Sequence, residues 1–504
     1  MVGVFGVGVH WGTFTVGGSD SSCYVLQAQR WATLRLQEPQ VLALEAPWPA
    51  APSTFAVSGH VASATVPGAM VPICASGLSL LMAVFLRIGG EQAVFLVVPL
   101  FGALLIGAVY MLGARVSPRV GLSAAALSAA SPVFLFQLVQ PMSDVPAAAL
   151  WCVAVALAML PSSGAALGAG LVTSLAILVR PNLLPLGVVI GAVMLAKPGV
   201  LLSERLKTAA AYAVGSAPGC LAVAAIQQYF YGSPVSSGYG SAEALFAVDR
   251  VGPNLRHYLA WFWETQTPVC LLALAAPLVC RRWFVALWSA LIVANLACYV
   301  PYVVFDEWWY LRFLLPAVPL VTLLSVITMD WLFVRLTASG PEWVRHRPEV
   351  VIRACLTLVT VALMTVLVRT AGDRNVFALA SLESRFTRAG MFVDRRLPEN
   401  AVVLTSWESG SVTYYAGRPT VVWDALDPGW LDRAVDFLRS RGLQPYVLVE
   451  RWEEPIFRKR FAESRAATLD WPPWAEIGGQ VRIYRPEDRA RYFAGELVAT
   501  EYAR

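Results

Sequence analysis

Long apolar runs constrain the fold of this chain more than any other feature of its sequence. Of its 504 residues, 57% are hydrophobic and only 14% are charged, whereas a soluble domain carries about 25% charged residues. A transmembrane helix needs about 20 apolar residues, so we predict a mainly α-helical, multi-pass bundle of about 11 spans. The runs lie at residues 1–16, 93–113, 120–139, 146–160, 165–179, 183–196, 209–226, 260–280, 284–304, 312–333 and 351–369.

Basic residues between the runs predict the orientation, because cytoplasmic loops are enriched in Lys and Arg. With eleven crossings and a cytoplasmic N-terminus, four basic clusters fall inside. The net charge of +5 is too small and too dispersed to indicate nucleic-acid binding. The basic clusters are Arg115 and Arg119; Lys197, Arg205 and Lys207; Arg281 and Arg282; and Arg335, Arg345 and Arg347.

The same count places the longer connections outside the membrane, among them outer loops 17–72 and 227–259. It also requires that the short apolar run 73–85 lie in the interface or re-enter, because a further crossing would exchange inside and outside. Six prolines between residues 38 and 72 predict a surface loop over the membrane. The stretch 24–36 before it is amphipathic.

The composition changes after residue 369, where charges become frequent and the apolar runs shrink to strand length. Short runs at 402–404, 420–423, 446–449 and 481–484 alternate with helical patterns. We therefore predict a transmembrane domain at 1–369 and a soluble extracytoplasmic α/β domain at 370–504.

Asp20 is the first candidate catalytic residue. It follows the first apolar run and opens a stretch that we expect to be non-helical, at the rim of a large hydrophobic body. A carboxylate there is placed to act as a general base on a substrate that arrives from the lipid. The alternative is that Ser19 and Asp20 cap the amphipathic helix that follows.

Asp144 is the second candidate, between two apolar runs on the same predicted side. An N-cap with Pro146 in the first turn is the alternative. Arg180 interrupts an apolar stretch, and Arg312 stands at the outer end of a span. Both suit phosphate recognition because a guanidinium offers several donors to an anionic oxygen, although an interfacial arginine or a structural ion pair explains each one as well.

Three tyrosines complete the predicted substrate-binding set: Tyr24, Tyr239 in a Gly/Ser/Tyr loop, and Tyr310 in an aromatic cluster. The tryptophan-rich segments otherwise indicate an interfacial belt. Seven of the eight cysteines lie in or beside apolar runs and are expected to be small buried hydrophobic residues. The four scattered histidines show no zinc-site spacing, so no metal ligands are assigned. Two carboxylates, Asp20 and Asp144, would suit Mg²⁺ or Mn²⁺ better than zinc.

The order of several motifs carries a family resemblance over about residues 15–335. After the first span come SDSSCYVLQAQRW, a Pro-rich outer loop, VPICASGLSLLMA, LGARV, SPVFLFQLVQPMSDVP, LVRPN, YGSPVSSGYG and YLRFLLPAVPL. This order resembles the GT-C glycosyltransferases, in particular protein O-mannosyltransferases and lipid A aminoarabinose transferases. Relatives often carry two adjacent acids at the first site, where Ser21 follows Asp20 here, and a YPPG-like turn where this chain has ICASG.

The resemblance implies an enzyme of a bacterial plasma (inner) membrane, with its C-terminal domain outside. It would move a hexose or pentose from a polyprenyl-phosphate donor to a lipid, glycan or protein acceptor on the extracytoplasmic side. Attack on the sugar from the face opposite the phosphate would invert the anomeric centre. Asp20 matches the base, Asp144 the acid of the second outer loop, and Arg312 the arginine that faces the lipid phosphate. A transporter or lipid flippase is the alternative, although the spans show no internal repeat. A third is a scaffold, in which Asp20→Asn would be silent.

Overall fold

The computed structural model describes residues 1–503, except for the side chains of residues 343 and 344. Arg504, the last residue of the predicted second domain, lies outside this range. The described chain is mainly helical, at 67%. Its longer helices are Val2–His10, Asp20–Thr33, Ser76–Gly89, Val97–Ala114, Pro118–Ala130, Asp144–Ala158, Ser163–Val179, Leu184–Ala196, Leu202–Tyr231, Val251–Gln266, Trp283–Tyr299, Val318–Ala338, Pro348–Asp373, Leu379–Arg396 and Leu431–Ser440.

Four helices within residues 1–503 are long and apolar enough to cross a membrane, or up to six if each of two bent pairs is one span. One bent pair joins Pro118–Ala130 to Pro132–Leu138 at 63°, and the other joins 248–266 to 268–279 at 109°. Prolines begin the second segment of both pairs, where they remove a backbone donor and interrupt the helix. Five further apolar helices have only 10–17 residues. The predicted count of about 11 spans is not confirmed.

Three of the apolar runs form helices whose bounds differ from those of the runs. The first helix ends at His10 rather than at residue 16. The run 73–85 forms Ser76–Gly89, at 14 residues too short for a perpendicular span. The last run extends to Pro348–Asp373, and only 22% of its apolar window is buried. Its outward apolar surface suits contact with lipid.

The described chain divides into two compact units, each made of separated segments. The first unit contains residues 1–12, 95–225 and 240–379, and the second contains 13–94, 226–239 and 380 onward. The first unit is a bundle of apolar helices. The boundary predicted from composition, between 369 and 370, stays a prediction.

Within residues 1–503, the strands all belong to the second unit. β1 (His60–Ala62) and β2 (Met70–Pro72) form an antiparallel pair. Six further strands form one sheet: β3 (Ala401–Leu404), β4 (Thr420–Val421), β5 (Gln444–Glu450), β6 (Ala475–Ile477), β7 (Val481–Tyr484) and β8 (Glu501–Ala503). The sheet has the order β4-β3-β5-β7-β6-β8, in which β4, β3 and β5 run parallel and β7 is antiparallel to both its neighbours. This confirms the strands predicted near 402, 420, 446 and 481.

The Pro-rich stretch is not the surface loop that its prolines predicted. Trp48 and Phe55 are 3% and 2% exposed, and they stack with ring centroids 5.9 Å apart. Both rings join the hydrophobic core on one face of the sheet, together with Leu404 and Val447. Burying two aromatic side chains removes several hundred Å² of apolar surface from water, and that gain outweighs the prolines' preference for exposed turns.

Candidate active site

Asp20 begins a helix and is not part of the non-helical stretch that we predicted. It is the first residue of Asp20–Thr33, after Ser19, whose side chain makes no capping hydrogen bond. A carboxylate in the first turn is favoured by the positive end of the helix dipole. The turn before Asp20 contains Gly18, in the left-handed region at φ +60°, and it is closed by the side chain of Ser21. The Ser21 hydroxyl accepts from the Gly17 N–H at 3.0 Å.

A disulfide bond lies one turn after Asp20 and corrects the expectation for one cysteine. Cys23 and Cys74 are bonded across 51 residues of sequence, whereas we expected Cys74 to be a simple buried hydrophobic residue. Cys23 lies in the helix that begins at Asp20 and is the one cysteine outside the apolar runs. The bond ties the helix that begins at Asp20 to the segment leading into Ser76–Gly89.

Tyr24 and Tyr239 belong to the same unit as Asp20 but differ in exposure. Tyr24 is 5% exposed inside the helix, and Tyr239 is 44% exposed in the loop after Tyr231. The loop begins beside the segment preceding Cys74, because the hydroxyl of Tyr231, the last residue of the helix before the loop, donates to the Pro72 carbonyl at 2.6 Å. Of the two, Tyr239 has the accessibility that a substrate contact requires.

Asp144 and Arg180 form a buried ion pair in the first unit. The Nη2 of Arg180 donates to the Oδ1 of Asp144 at 2.7 Å, and the two side chains are 12% and 0% exposed. Antiparallel helices produce this contact, since Asp144 begins Asp144–Ala158 and Arg180 follows the end of Ser163–Val179. Pro181 disfavours the helical conformation at Arg180, which has φ −145° and ψ 87°.

The Arg180 guanidinium also donates to two hydroxyl groups. It donates from Nη1 to the Tyr299 hydroxyl at 2.9 Å and from Nε to the Ser143 hydroxyl at 3.2 Å. The guanidinium is therefore fixed on three sides, by a carboxylate and two hydroxyls. Tyr299 is not among the residues that the sequence predicted for the site, because its position at the end of an apolar helix does not show that it faces an arginine.

Arg312 and Tyr310 pack against Phe313, the same aromatic ring that the Arg180 guanidinium contacts. Phe313 stacks on Tyr299 with centroids 4.9 Å apart and an interplanar angle of 8°. The Arg180 guanidinium lies 5.6 Å from the Phe313 centroid, and that of Arg312 lies 5.4 Å from it. Arg312 also lies 5.2 Å from the Tyr310 ring. The structure thus brings together Asp144, Arg180, Tyr310 and Arg312, four of the seven predicted residues.

No group of three or more potential metal-ligating side chains of His, Cys, Asp or Glu occurs among the residues that the structure describes. Asp144 fits a divalent cation poorly, because the Arg180 guanidinium contacts its Oδ1 and repels a second positive charge. Asp20 and Asp144 belong to different units.

The chain is similar to known proteins in its fold. No family model and no curated protein sequence matches the chain. Among solved structures, ArnT from Cupriavidus metallidurans bound to undecaprenyl phosphate matches with a TM-score of 0.59, 13% identity, and coverage of 96% of this chain and 97% of that one. This chain has the GT-C fold. The structure thus confirms, for the fold, the resemblance inferred from the order of the sequence motifs.

An archaeal enzyme shows the same fold. The oligosaccharyltransferase AglB from Archaeoglobus fulgidus, in complex with an inhibitory peptide and a dolichol-phosphate, matches with a TM-score of 0.59 and 12% identity. The match covers 92% of this chain and 70% of AglB. Both similar structures therefore hold a polyprenyl-type lipid phosphate.

Proposed function

We propose that this GT-C-fold chain is a membrane glycosyltransferase, which moves a sugar from a polyprenyl-phosphate donor to a lipid, glycan or protein acceptor. The observation that carries the proposal is the likeness over nearly the full length of both chains to an ArnT structure that contains undecaprenyl phosphate. The paired arginines at Phe313 support it, because two guanidinium groups in one small region suit an anionic headgroup.

The proposed reaction is a single displacement at the anomeric carbon. Asp20 takes the proton of the acceptor hydroxyl, whose oxygen forms the new bond to the sugar. The bond between sugar and phosphate breaks, and the lipid phosphate leaves with the electron pair. Attack opposite the leaving group inverts the anomeric centre. General-base help of this kind contributes about 10²–10⁴ in rate.

Arg180 and Arg312 stabilise the negative charge that develops on the departing phosphate. The ion pair gives Asp144 a defined part in this proposal: it holds the Arg180 guanidinium in one orientation together with Tyr299. Fixed donors cost less reorganisation at the moment of reaction than mobile ones. Tyr310 and Tyr239 are proposed as contacts to the sugar or the acceptor, and Tyr24 supports the helix that carries Asp20.

A divalent cation, Mg²⁺ or Mn²⁺, enters the proposal only through Asp20, since Asp144 is engaged by Arg180. It would supply positive charge to the leaving phosphate. No step of the proposed reaction depends on it.

We further propose about eleven crossings in a bacterial inner membrane, with the second unit's sheet outside. The Cys23–Cys74 bond supports this side, because disulfides persist in oxidising compartments such as the periplasm. A membrane-impermeant thiol reagent should label Val235→Cys in intact cells, where Val235 is 89% exposed. It should not label exposed Arg282→Cys until the cells are opened. The reverse pattern would overturn this orientation.

The function is tested with membranes that contain the protein and labelled undecaprenyl-phosphate hexoses and pentoses. Wild type should transfer label from one of these donors to a lipid, glycan or protein, and Asp20→Asn should lower transfer by a factor of about 10² or more. Asp394→Asn, an exposed carboxylate of the same unit, is the matched control. Wild-type turnover by Asp20→Asn would refute the base, and transport without transfer would favour a transporter or flippase.

A further inference from the structure

The segment that leads into Asp20 is held by residues nearly 400 positions later in the chain. The Val16 N–H donates to the Tyr415 hydroxyl at 3.0 Å. The Thr387 hydroxyl donates to the same oxygen at 3.0 Å and lies 3.1 Å from the Thr15 hydroxyl. All four residues belong to the second unit. The Tyr415 hydroxyl is therefore the shared acceptor that joins the segment before Asp20 to the helix Leu379–Arg396.

Close packing fixes the same turn sterically. A Cβ atom at Gly17 would lie 2.0 Å from the Phe386 ring. A Cβ atom at Gly410 would lie 2.1 Å from the Ser22 hydroxyl. Only glycine allows these approaches, so residues 17–22 are in contact with the C-terminal part of the chain on two sides.

Two hydrogen bonds connect this segment to Ser21, the residue that follows Asp20. The Ser21 hydroxyl accepts from the Gly17 N–H at 3.0 Å and donates to the Gly17 carbonyl at 2.9 Å. A shift of Val16 and Gly17 therefore moves Ser21, the neighbour of Asp20. Burial raises the pKa of the Tyr415 phenol, so the hydroxyl stays protonated and keeps one role at neutral pH.

We propose that Tyr415 is a positioning residue for Asp20, acting through the Val16 N–H and the Gly17–Ser21 turn. The inference rests on the proposed function, since it assumes that the Asp20 carboxylate takes the acceptor proton. A base must lie within hydrogen-bond reach of that proton, and a displacement of about 1 Å can lower the rate by a factor of about 10². The C-terminal part of the chain thereby takes part in catalysis without contacting substrate.

The test removes a single oxygen atom. Tyr415→Phe keeps the ring and deletes the acceptor of the Val16 N–H. The matched control is Tyr446→Phe, which removes a buried tyrosine's hydroxyl bond to Gln444 in the same unit. Hydrogen exchange followed by mass spectrometry, on peptides covering residues 14–24, reports the segment directly and needs no substrate.

We expect Tyr415→Phe to speed exchange in residues 14–24 by about tenfold or more, whereas Tyr446→Phe leaves that peptide unchanged. With the labelled undecaprenyl-phosphate sugar that wild type uses, kcat should fall by about 10–100-fold and KM should stay within about twofold. In an Asp20→Glu background, where the carboxylate is already displaced, Tyr415→Phe should lower kcat by less than threefold.

The outcomes separate this inference from the proposed function. Unchanged exchange in residues 14–24 would overturn the positioning role. Faster exchange with unchanged kcat would show that the contact is structural only, and would leave Asp20 as the base. An equal loss of kcat in the wild-type and Asp20→Glu backgrounds would also overturn the role. Wild-type turnover by Asp20→Asn would instead refute the proposed function.

Discussion

The buried ion pair between Asp144 and Arg180 makes a prediction that separates structure from catalysis. Arg180→Met leaves the Asp144 carboxylate, 0% exposed, without the cation that contacts its Oδ1 at 2.7 Å. Removing one partner of a buried pair costs about 3–5 kcal/mol, because the remaining charge is neither solvated nor compensated. A chain of 504 residues shifts its unfolding temperature by about 1 °C per kcal/mol, so we expect that temperature to fall by about 3–5 °C.

The assay is thermal unfolding in detergent, followed by a thiol-reactive dye whose signal rises when the buried Cys152 becomes exposed, above the background from five partly exposed free cysteines. Arg374→Met is the matched control, since its pair with Glu264 is partly exposed, at 30% and 46%. Such a pair contributes about 1 kcal/mol or less. A loss of stability in Arg180→Met no larger than in Arg374→Met would refute the reasoning.

The double variant Asp144→Leu with Arg180→Met sharpens the test. Replacing both partners by apolar residues removes the uncompensated charge, so it should unfold at a higher temperature than Arg180→Met alone. If Arg180 contacts the donor phosphate, the double variant should still lose sugar transfer. Stability recovered together with full transfer would limit the pair to a structural role. The single variant Asp144→Leu completes the cycle: a stability loss in the double variant equal to the sum of the losses in Asp144→Leu and Arg180→Met would show that the two side chains do not interact.

Three further predictions concern the second unit. Burial raises the pKa of Glu453 to about 7 from 4.5, so between these pH values the folded state holds a proton that the unfolded state has lost. The free energy of unfolding should therefore fall by about 3 kcal/mol as pH rises from about 4.5 to 7. In Glu453→Gln the unfolding temperature should fall less between pH 5 and 8 than in wild type, and an identical pH profile would contradict this. Replacing Cys23 and Cys74 together by serine should cost about 4 kcal/mol, as expected for a loop of 51 residues, so unchanged thermal unfolding would contradict a bond in the native protein. Metal removal with EDTA should leave sugar transfer by wild type within about twofold, and full loss restored by Mg²⁺ or Mn²⁺ would assign a metal to Asp20.

The sequence determined the apolar runs, and through them the membrane class. It also predicted four sheet strands, because period and length of apolar segments are local properties. The order of the motifs sufficed to predict the GT-C fold, although no single motif is specific. The limits of individual spans differ from those of the apolar runs: proline breaks divide two runs into bent pairs, and the run 1–16 forms a helix of nine residues.

Which side chains meet depends on the packing of segments that are distant in the sequence. The pairing of Asp144 with Arg180 depends on an antiparallel helix hairpin, and the stacking of Tyr299 on Phe313 depends on the approach of two segments 14 residues apart. The burial of Trp48 on the sheet and the contact of Tyr415 with Val16 join still more distant segments. Hydrophobic pattern fixes which face of a segment is buried, but non-local packing chooses its partner, and that choice is not encoded in any one stretch of the chain.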